Sequence, residues 1–321
     1  MAQINKSSDY FNTKLYTGTG ATQSITGVGF QPDLVWIKGR NNGNYHRLFD
    51  VVRGVPNYIG TNANDAEASD ATQFTSFDSD GFTLSTGGAT NGSGYTFASW
   101  NFLANGTGVS NTDGSITSTV SASTTSGFSI VSYTGNSTAG ATVGHGLSSV
   151  PKVVLVKNRS GAYSWYMQHA SLGATQEMLL DTTRATDTSS QWNNTAPTST
   201  VFTLGNAIAT NVVSNNYVAY CFAEKKGFSK FGSYTGNGST DGTFVYTGFK
   251  PAMVIQKMSS SAGYSWHIFD NKRDTYNPID KRLFPDTADV ESTGTNIDFV
   301  SNGFKFRSTA TGYNGSGNTL I

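Results

Sequence analysis

Four histidines, one cysteine and a scatter of carboxylates are the residues of this 321-residue chain whose types could do chemistry. His46, His145, His169 and His267 stand far apart, and none belongs to the HxxxH or CxxC spacing that holds zinc. His46 and His267 each follow an aromatic, Tyr45 and Trp266, and read as surface or rim histidines at one shared position of a repeat. Cys221 is alone, so no internal disulfide can form. Its place in the apolar run Tyr217-Val218-Ala219-Tyr220-Cys221-Phe222 reads as a buried, inert thiol. No Ser-His-Asp or Cys-His arrangement and no G-x-x-x-x-G-K-[ST] loop occurs.

Carboxylates are the next candidates, because a glycosidase needs two of them at a defined separation across a cleft. Asp78 and Asp80 flank Ser79 just before Gly81-Phe82, while Asp286, Asp289 and Glu291 share a later polar loop. Turn chemistry accounts for the first pair, and the twelve-residue calcium-loop pattern is absent. The motif F-D-x-x-R occurs twice, as Phe49-Asp50-Val51-Val52-Arg53 and Phe269-Asp270-Asn271-Lys272-Arg273. It reads as a loop staple in which the Asp accepts turn hydrogen bonds and pairs with the Arg, with no third polar partner recurring. Trp192, within Ser190-Gln191-Trp192-Asn193-Asn194, is the one binding candidate: a sugar-stacking platform, a subunit anchor or a tryptophan tucked under its loop. No catalytic residue, metal site or cofactor is expected.

The elements that must position these residues come in three copies. Each opens with Tyr-Thr-Gly, at Tyr16-Thr17-Gly18, Tyr133-Thr134-Gly135 and Tyr234-Thr235-Gly236. A proline follows 16, 18 and 17 residues later and starts an apolar strand closed by a lysine six residues on: Pro32 to Lys38, Pro151 to Lys157 and Pro251 to Lys257. The lysine reads as a solvent-facing strand end. After a polar turn come the aromatics Tyr45, Trp165 and Trp266, then Asn57-Tyr58-Ile59, Met178-Leu179-Leu180 and Leu283-Phe284. Gly81-Phe82-Thr83-Leu84, Val201-Phe202-Thr203-Leu204 and Gly303-Phe304-Lys305-Phe306 follow, with the period-2 alternation of half-buried strands. Closing strands run from Tyr95 to Phe102 and from Tyr217 to Phe222, and the third would begin near Asn318.

Composition agrees with an all-β chain. Gly, Ser, Thr and Asn dominate, only 13% of residues are charged and 12% are aromatic, which suits pleated strands joined by tight turns. The expected fold is three tandem β-sandwich or jelly-roll-like repeats, the third lacking its C-terminal strand, together making a rod. Repeat one covers 1–105, a Gly/Ser/Thr-rich linker 106–126, repeat two 127–227 and repeat three 228–321. Isolated β-formers between Ser115 and Val120 leave room for an added strand in the linker. No useful helix is expected, and Asp65-Ala66-Glu67-Ala68 reads as a loop or single turn. Lys+Arg and Asp+Glu balance at 21 each with no basic stripe, which argues against nucleic acid. The start Met1-Ala2-Gln3-Ile4-Asn5-Lys6 has no apolar leader, and no run approaches a membrane span, so synthesis in a cytoplasm without membrane insertion is expected.

The stretch Ser126-Gly127-Phe128-Ser129-Ile130-Val131-Ser132-Tyr133-Thr134-Gly135-Asn136, continuing through Gly144-His145-Gly146-Leu147 to Pro151 and Val156-Lys157-Asn158-Arg159, resembles a repeat domain of tailed-phage virion proteins, marine phages especially. So do Tyr16-Thr17-Gly18 through Phe30-Gln31-Pro32 to Lys38, and Asn111-Thr112-Asp113-Gly114-Ser115-Ile116. The resemblance implies a non-enzymatic virion protein, a tail fibre or appendage displaying loops to a host-surface glycan. Its partners would be other virion proteins and copies of itself, trimers being usual for phage fibres. The alternatives are a capsid- or tail-decorating protein with no receptor role, and a polysaccharide depolymerase. A missing closing strand would mark either a fragment or a sheet completed by another chain.

Overall fold

The computed structural model describes residues 3–294 and 297–321. Of the stretches read above, Met1 and Ala2 of the N-terminal run and Thr295 and Asn296 of the third repeat lie outside them. The chain is nearly all β, with antiparallel sheets and, among the described residues, three α-helices of one turn each and a 3-10 turn at Ser7–Asp9. Asp65 to Glu67 form no helix, and Ala68–Ser69 is a short strand. Among the described residues no helix is long and apolar enough to cross a membrane.

In the first unit the strand Leu34–Gly39 lies between Thr96–Phe102 and Arg47–Asp50, and Thr96–Phe102 pairs on its other side with Phe11–Thr17. The second unit repeats this order with Phe128–Thr134, Asn216–Phe222, Val153–Asn158 and Tyr166–His169. In the third, Tyr234–Thr235 pairs with Thr319–Leu320, and Met253–Gln256 pairs with His267–Asp270. We call these the opening, closing, central and outer strands. Within residues 106–126 lie two strands, one of them where the isolated β-formers left room for an added strand. Val109–Asn111 and Ser118–Ser123 pair in sequence onto the second unit's opening strand and extend its sheet.

The central strands of the first two units are buried on both faces, as their unbroken apolar runs require, while in the third Met253 and Ile255 are only half-buried. Alternate residues serve different cores. Val35 and Ile37 meet Ile25, Phe74, Phe82 and Leu84 from a second sheet, giving the first unit a sandwich core. Val154 and Val156 do the same with Val143, Phe202 and Leu204, and Val254 with Phe299, Phe304 and Phe306. The opposite faces bring Leu34, Trp36, Val153 and Leu155 together with Trp266 and Ile268 of the third unit's outer segment into one further core shared by all three units. Three sandwiches therefore pack face-inward around a common centre, where the sequence suggested a rod.

Tyr-Thr-Gly has a physical reason in each unit. The Tyr16 hydroxyl donates to Thr90 O at 2.7 Å, Tyr133 to Thr210 O at 2.7 Å and Tyr234 to Tyr313 O at 2.8 Å. Those acceptors lie in the short helices Gly88–Asn91, Ile208–Asn211 and Thr311–Asn314. The glycine lets the chain pass the helix end, since a Cβ on Gly18, Gly135 or Gly236 would stand 2.3–2.4 Å from a backbone oxygen. Each helix ends in a fully buried Asn that ties it to the loop after the glycine: Asn91 accepts from Thr19 N, Asn211 from Asn136 N and Asn314 from Asn237 N.

Candidate functional site

The centre of the molecule is built from the outer strands, whose register fixes which residues correspond. Trp36 faces Leu48, Leu155 faces Met167 and Ile255 faces Ile268, so His46, Trp165 and Trp266 occupy one position. His46 and His267 therefore do not share a repeat position. His267 corresponds to Arg47 and Tyr166, because the first unit's turn places its aromatic-His pair one residue out of step.

The corrected correspondence exposes a closed cycle. Trp165 Nε1 donates to Gly60 O at 2.7 Å, taking the second unit to the first, and Trp266 Nε1 donates to Leu179 O at 2.9 Å, taking the third to the second. His46 closes the ring through Nε2 and Phe284 O at 2.9 Å. Trp36 Nε1 donates to His46 Nδ1 at 2.8 Å, so the proton sits on Nε2, and burial holds the His46 pKa well below the usual histidine range. Two residues after each acceptor, Asn62, Asp181 and Asp286 accept the backbone N–H of His46, Trp165 and Trp266 in turn.

A second layer of the cycle is ionic. Arg53 and Asp50 pair at 2.5 Å with both side chains fully buried, and Arg273 and Asp270 at 2.6 Å likewise. A third polar partner does recur, contrary to the sequence reading. Glu67 accepts from Arg53 at 3.1 Å and from Arg159 of the next unit at 2.7 Å. Glu291 accepts from Arg273 at 3.3 Å and from Arg40 at 2.8 Å. Burial opposes the Arg53 charge, but Asp50, Tyr220 and Glu67 outweigh it and raise its pKa. Asp50 also accepts the Tyr220 hydroxyl at 2.7 Å, and Asp270 accepts Trp100 Nε1 at 3.2 Å, each across a unit boundary. In the second unit His169 takes the place of Asp50 and Asp270, its Nδ1 accepting Ser171 N at 3.1 Å.

The lysines that close the central strands are not solvent-facing, and two of them, Lys38 and Lys157, join the same interface. Lys38, Lys157 and Lys257 are fully buried. Lys38 Nζ donates to Ala288 O of the third unit at 3.1 Å, and Lys157 Nζ to Asn64 O of the first at 3.1 Å. Lys257 Nζ donates to Met258 O at 2.9 Å. Burial lowers all three pKa values to about 8.

The remaining candidates are structural. All four histidines are buried rather than at a rim, and burial pushes His169 down to about 4 and His267 to about 3. Trp192 is fully buried in the second unit's sandwich core beside Phe202 and Leu204, so no ring face is open to a sugar. Asp80 accepts Gly27 N and Gly29 N, and Asp78 accepts the Ser76 and Thr83 hydroxyls, which is turn and strand stapling. Burial pushes the Cys221 thiol up to about 12. Asp286 is buried and raised to about 7 by desolvation, its Oδ2 without a hydrogen-bond partner. Among the described residues no three His, Cys, Asp or Glu side chains gather as metal ligands.

Against the shared core lies a cavity of about 420 Å³, walled by Trp36, Leu155, Met167, His169, Ile255 and Phe231 among others. The sequence hides it because its walls come from all three units. No curated protein and no solved structure matches the chain. One family model does, over residues 6–321, and the chain belongs to that family, the Domain of unknown function (DUF7483).

Proposed function

We propose that the protein is a non-enzymatic structural component of a phage particle, an appendage whose outer loops meet a host-surface glycan. The observation that carries this reading is the cyclic lock between units, with indole and imidazole N–H groups on carbonyls and Arg–carboxylate chains buried beneath them. Residue types that would perform chemistry are spent on joining the sandwiches, which suits a part that must hold shape while exposed loops vary. The lock replaces the rod as the means of display. Weak loop contacts would gain strength from many copies on one particle.

Gold-labelled antibody against the purified chain tests the location, and a glycan array with host-cell adsorption tests the contact. Labelling of intact particles together with saturable binding to cells or glycans is expected. Labelling without binding would favour a decorating role, and release of reducing ends from host polysaccharide would overturn the non-enzymatic reading.

A further inference from the structure

The second sandwich lacks an aromatic that the other two share. Register aligns Gln168 with Phe49 and Phe269, each directly opposite a valine of its central strand: Val154, Val35 and Val254 in turn. Both phenylalanines are fully buried in their sandwich cores, and Phe49 stacks on Phe74 with ring centroids 4.5 Å apart. At Gln168 the second unit has instead a cavity of about 210 Å³. Buried Pro151, Val154 and Gln168 form its floor, and exposed Ala170 and Ala196 stand at its rim. The Gln168 amide is anchored at one end. Its Nε2 donates to Thr195 O at 3.1 Å, and because a carbonyl only accepts, the amide cannot be turned around. Oε1 is left buried with no hydrogen-bond partner, a cost that the fold itself does not offset. Among the described residues the lining holds no carboxylate, and half-buried Lys152 is its one charged side chain.

We infer that this cavity is a binding subsite for the acetamido group of an N-acetylated sugar. Gln168 Oε1 calls for a neutral N–H or O–H donor. An ionised carboxylate offers it none, and an ammonium would meet Lys152 with no carboxylate in the lining to balance the two. The apolar walls, Ala174 and Pro197 with Val154, leave the hydroxyls of an unsubstituted hexose without partners. An acetamido group meets every condition. Its N–H donates to Gln168 Oε1, its methyl lies against Val154 and Pro197, and its carbonyl accepts from the Lys152 ammonium. The volume falls below the roughly 300–1,000 Å³ of pockets that enclose a whole drug-sized ligand, so the cavity takes one substituent while the sugar ring stays at the rim. The inference rests on the proposed glycan contact for its biological partner, but its chemistry is read without a particle.

The probe is N-acetylglucosamine, titrated into the full chain beside glucose and glucosamine and followed by saturation-transfer nuclear magnetic resonance. Saturable binding of N-acetylglucosamine is expected, about tenfold or more tighter than either comparison sugar, with the strongest transfer at the acetyl methyl. Gln168→Met keeps the side-chain length and removes the acceptor, and Ala170→Phe closes the rim. Each should weaken binding about tenfold or more, with near-ultraviolet circular dichroism confirming the fold. The exposed Ala170→Phe gives the same reading if the buried substitution does not fold. Absence of saturable binding, equal affinity for the three sugars, strongest transfer at the ring protons, or unchanged binding in either folded variant would overturn the assignment. Binding of N-acetylglucosamine by a chain that labels no particle would uphold the subsite and remove the virion role. Binding to host cells or other glycans without N-acetylglucosamine would uphold the glycan contact and remove the subsite.

Discussion

Trp165 Nε1 donates to the carbonyl of Gly60 across 2.7 Å, joining two β units whose residues stand 105 apart in sequence. The indole is fully buried. Trp165→Phe keeps an aromatic ring but removes the donor and the pyrrole half of the indole, leaving Gly60 O without this bond and a small void in the core. We expect a loss of about 1–3 kcal/mol in denaturant unfolding. Trp266→Phe should cost a similar amount through Leu179 O. A loss below about 0.3 kcal/mol in both would mean these bonds do not hold the units together.

The buried ion pairs should be costly to break from one side. Arg53→Met leaves Asp50 uncompensated and removes one of the two arginines on Glu67. A destabilisation of about 3–5 kcal/mol is expected, since an orphaned buried charge has no solvent to meet it. Glu67→Gln in a double-mutant cycle with Arg159→Met should show coupling, because Arg159 Nε and Nη2 reach the two Glu67 oxygens at 3.0 and 2.7 Å. Additive effects would contradict the bidentate link.

Asp286 carries a pH signature. Desolvation raises its folded-state pKa to about 7, from an ordinary carboxylate value in the unfolded chain. The folded state then binds the extra proton between about pH 4 and 7, so this group's contribution to stability falls as pH rises through that window and stays low above it. Asn62 performs the same task in the first unit, accepting His46 N at 2.9 Å with no charge to bury. Asp286→Asn should therefore raise the melting temperature at pH 8 and flatten its fall between pH 4 and 7. An unchanged pH slope would remove Asp286 as the cause.

Gly135 tests the local architecture of one unit. Its backbone passes the end of the helix Ile208–Asn211 so closely that a Cβ would lie 2.3 Å from Val212 O. Gly135→Ala must push strand and helix apart, breaking the link from Asn136 N to Asn211. A loss above about 2 kcal/mol is expected, at the upper end of ordinary point substitutions. A melting temperature within one degree of the parent would show that the helix end can yield.

Much of this was open to reading from residue order alone. The runs from Pro32 and Pro151 signal strands buried on both faces, because four apolar residues in succession leave no polar side for solvent. What covers the second face is invisible there, since Leu34 and Trp36 meet residues of other units hundreds of positions away. Lys38 reads as exposed for the same reason: the carbonyl of Ala288 that satisfies its ammonium lies 250 residues along the chain. Glu67 and Glu291 escape a motif search because each lies 14 or 18 residues beyond its arginine, in a loop with no fixed spacing. The recurring Asn91, Asn211 and Asn314 left a readable trace in Ala89-Thr90-Asn91 and Ala209-Thr210-Asn211. The position shared by His46 and Trp165 emerges only from strand register.

Calorimetric unfolding of the whole chain tests most directly whether the three sandwiches form one locked body. A single transition is expected, with a van't Hoff enthalpy equal to the calorimetric enthalpy, roughly 0.7 kcal/mol per residue near 60 °C. Trp165→Phe and Arg53→Met should each lower that one transition as a whole. Separate transitions, each carrying roughly a third of the enthalpy and only one of them moved by either substitution, would contradict the lock.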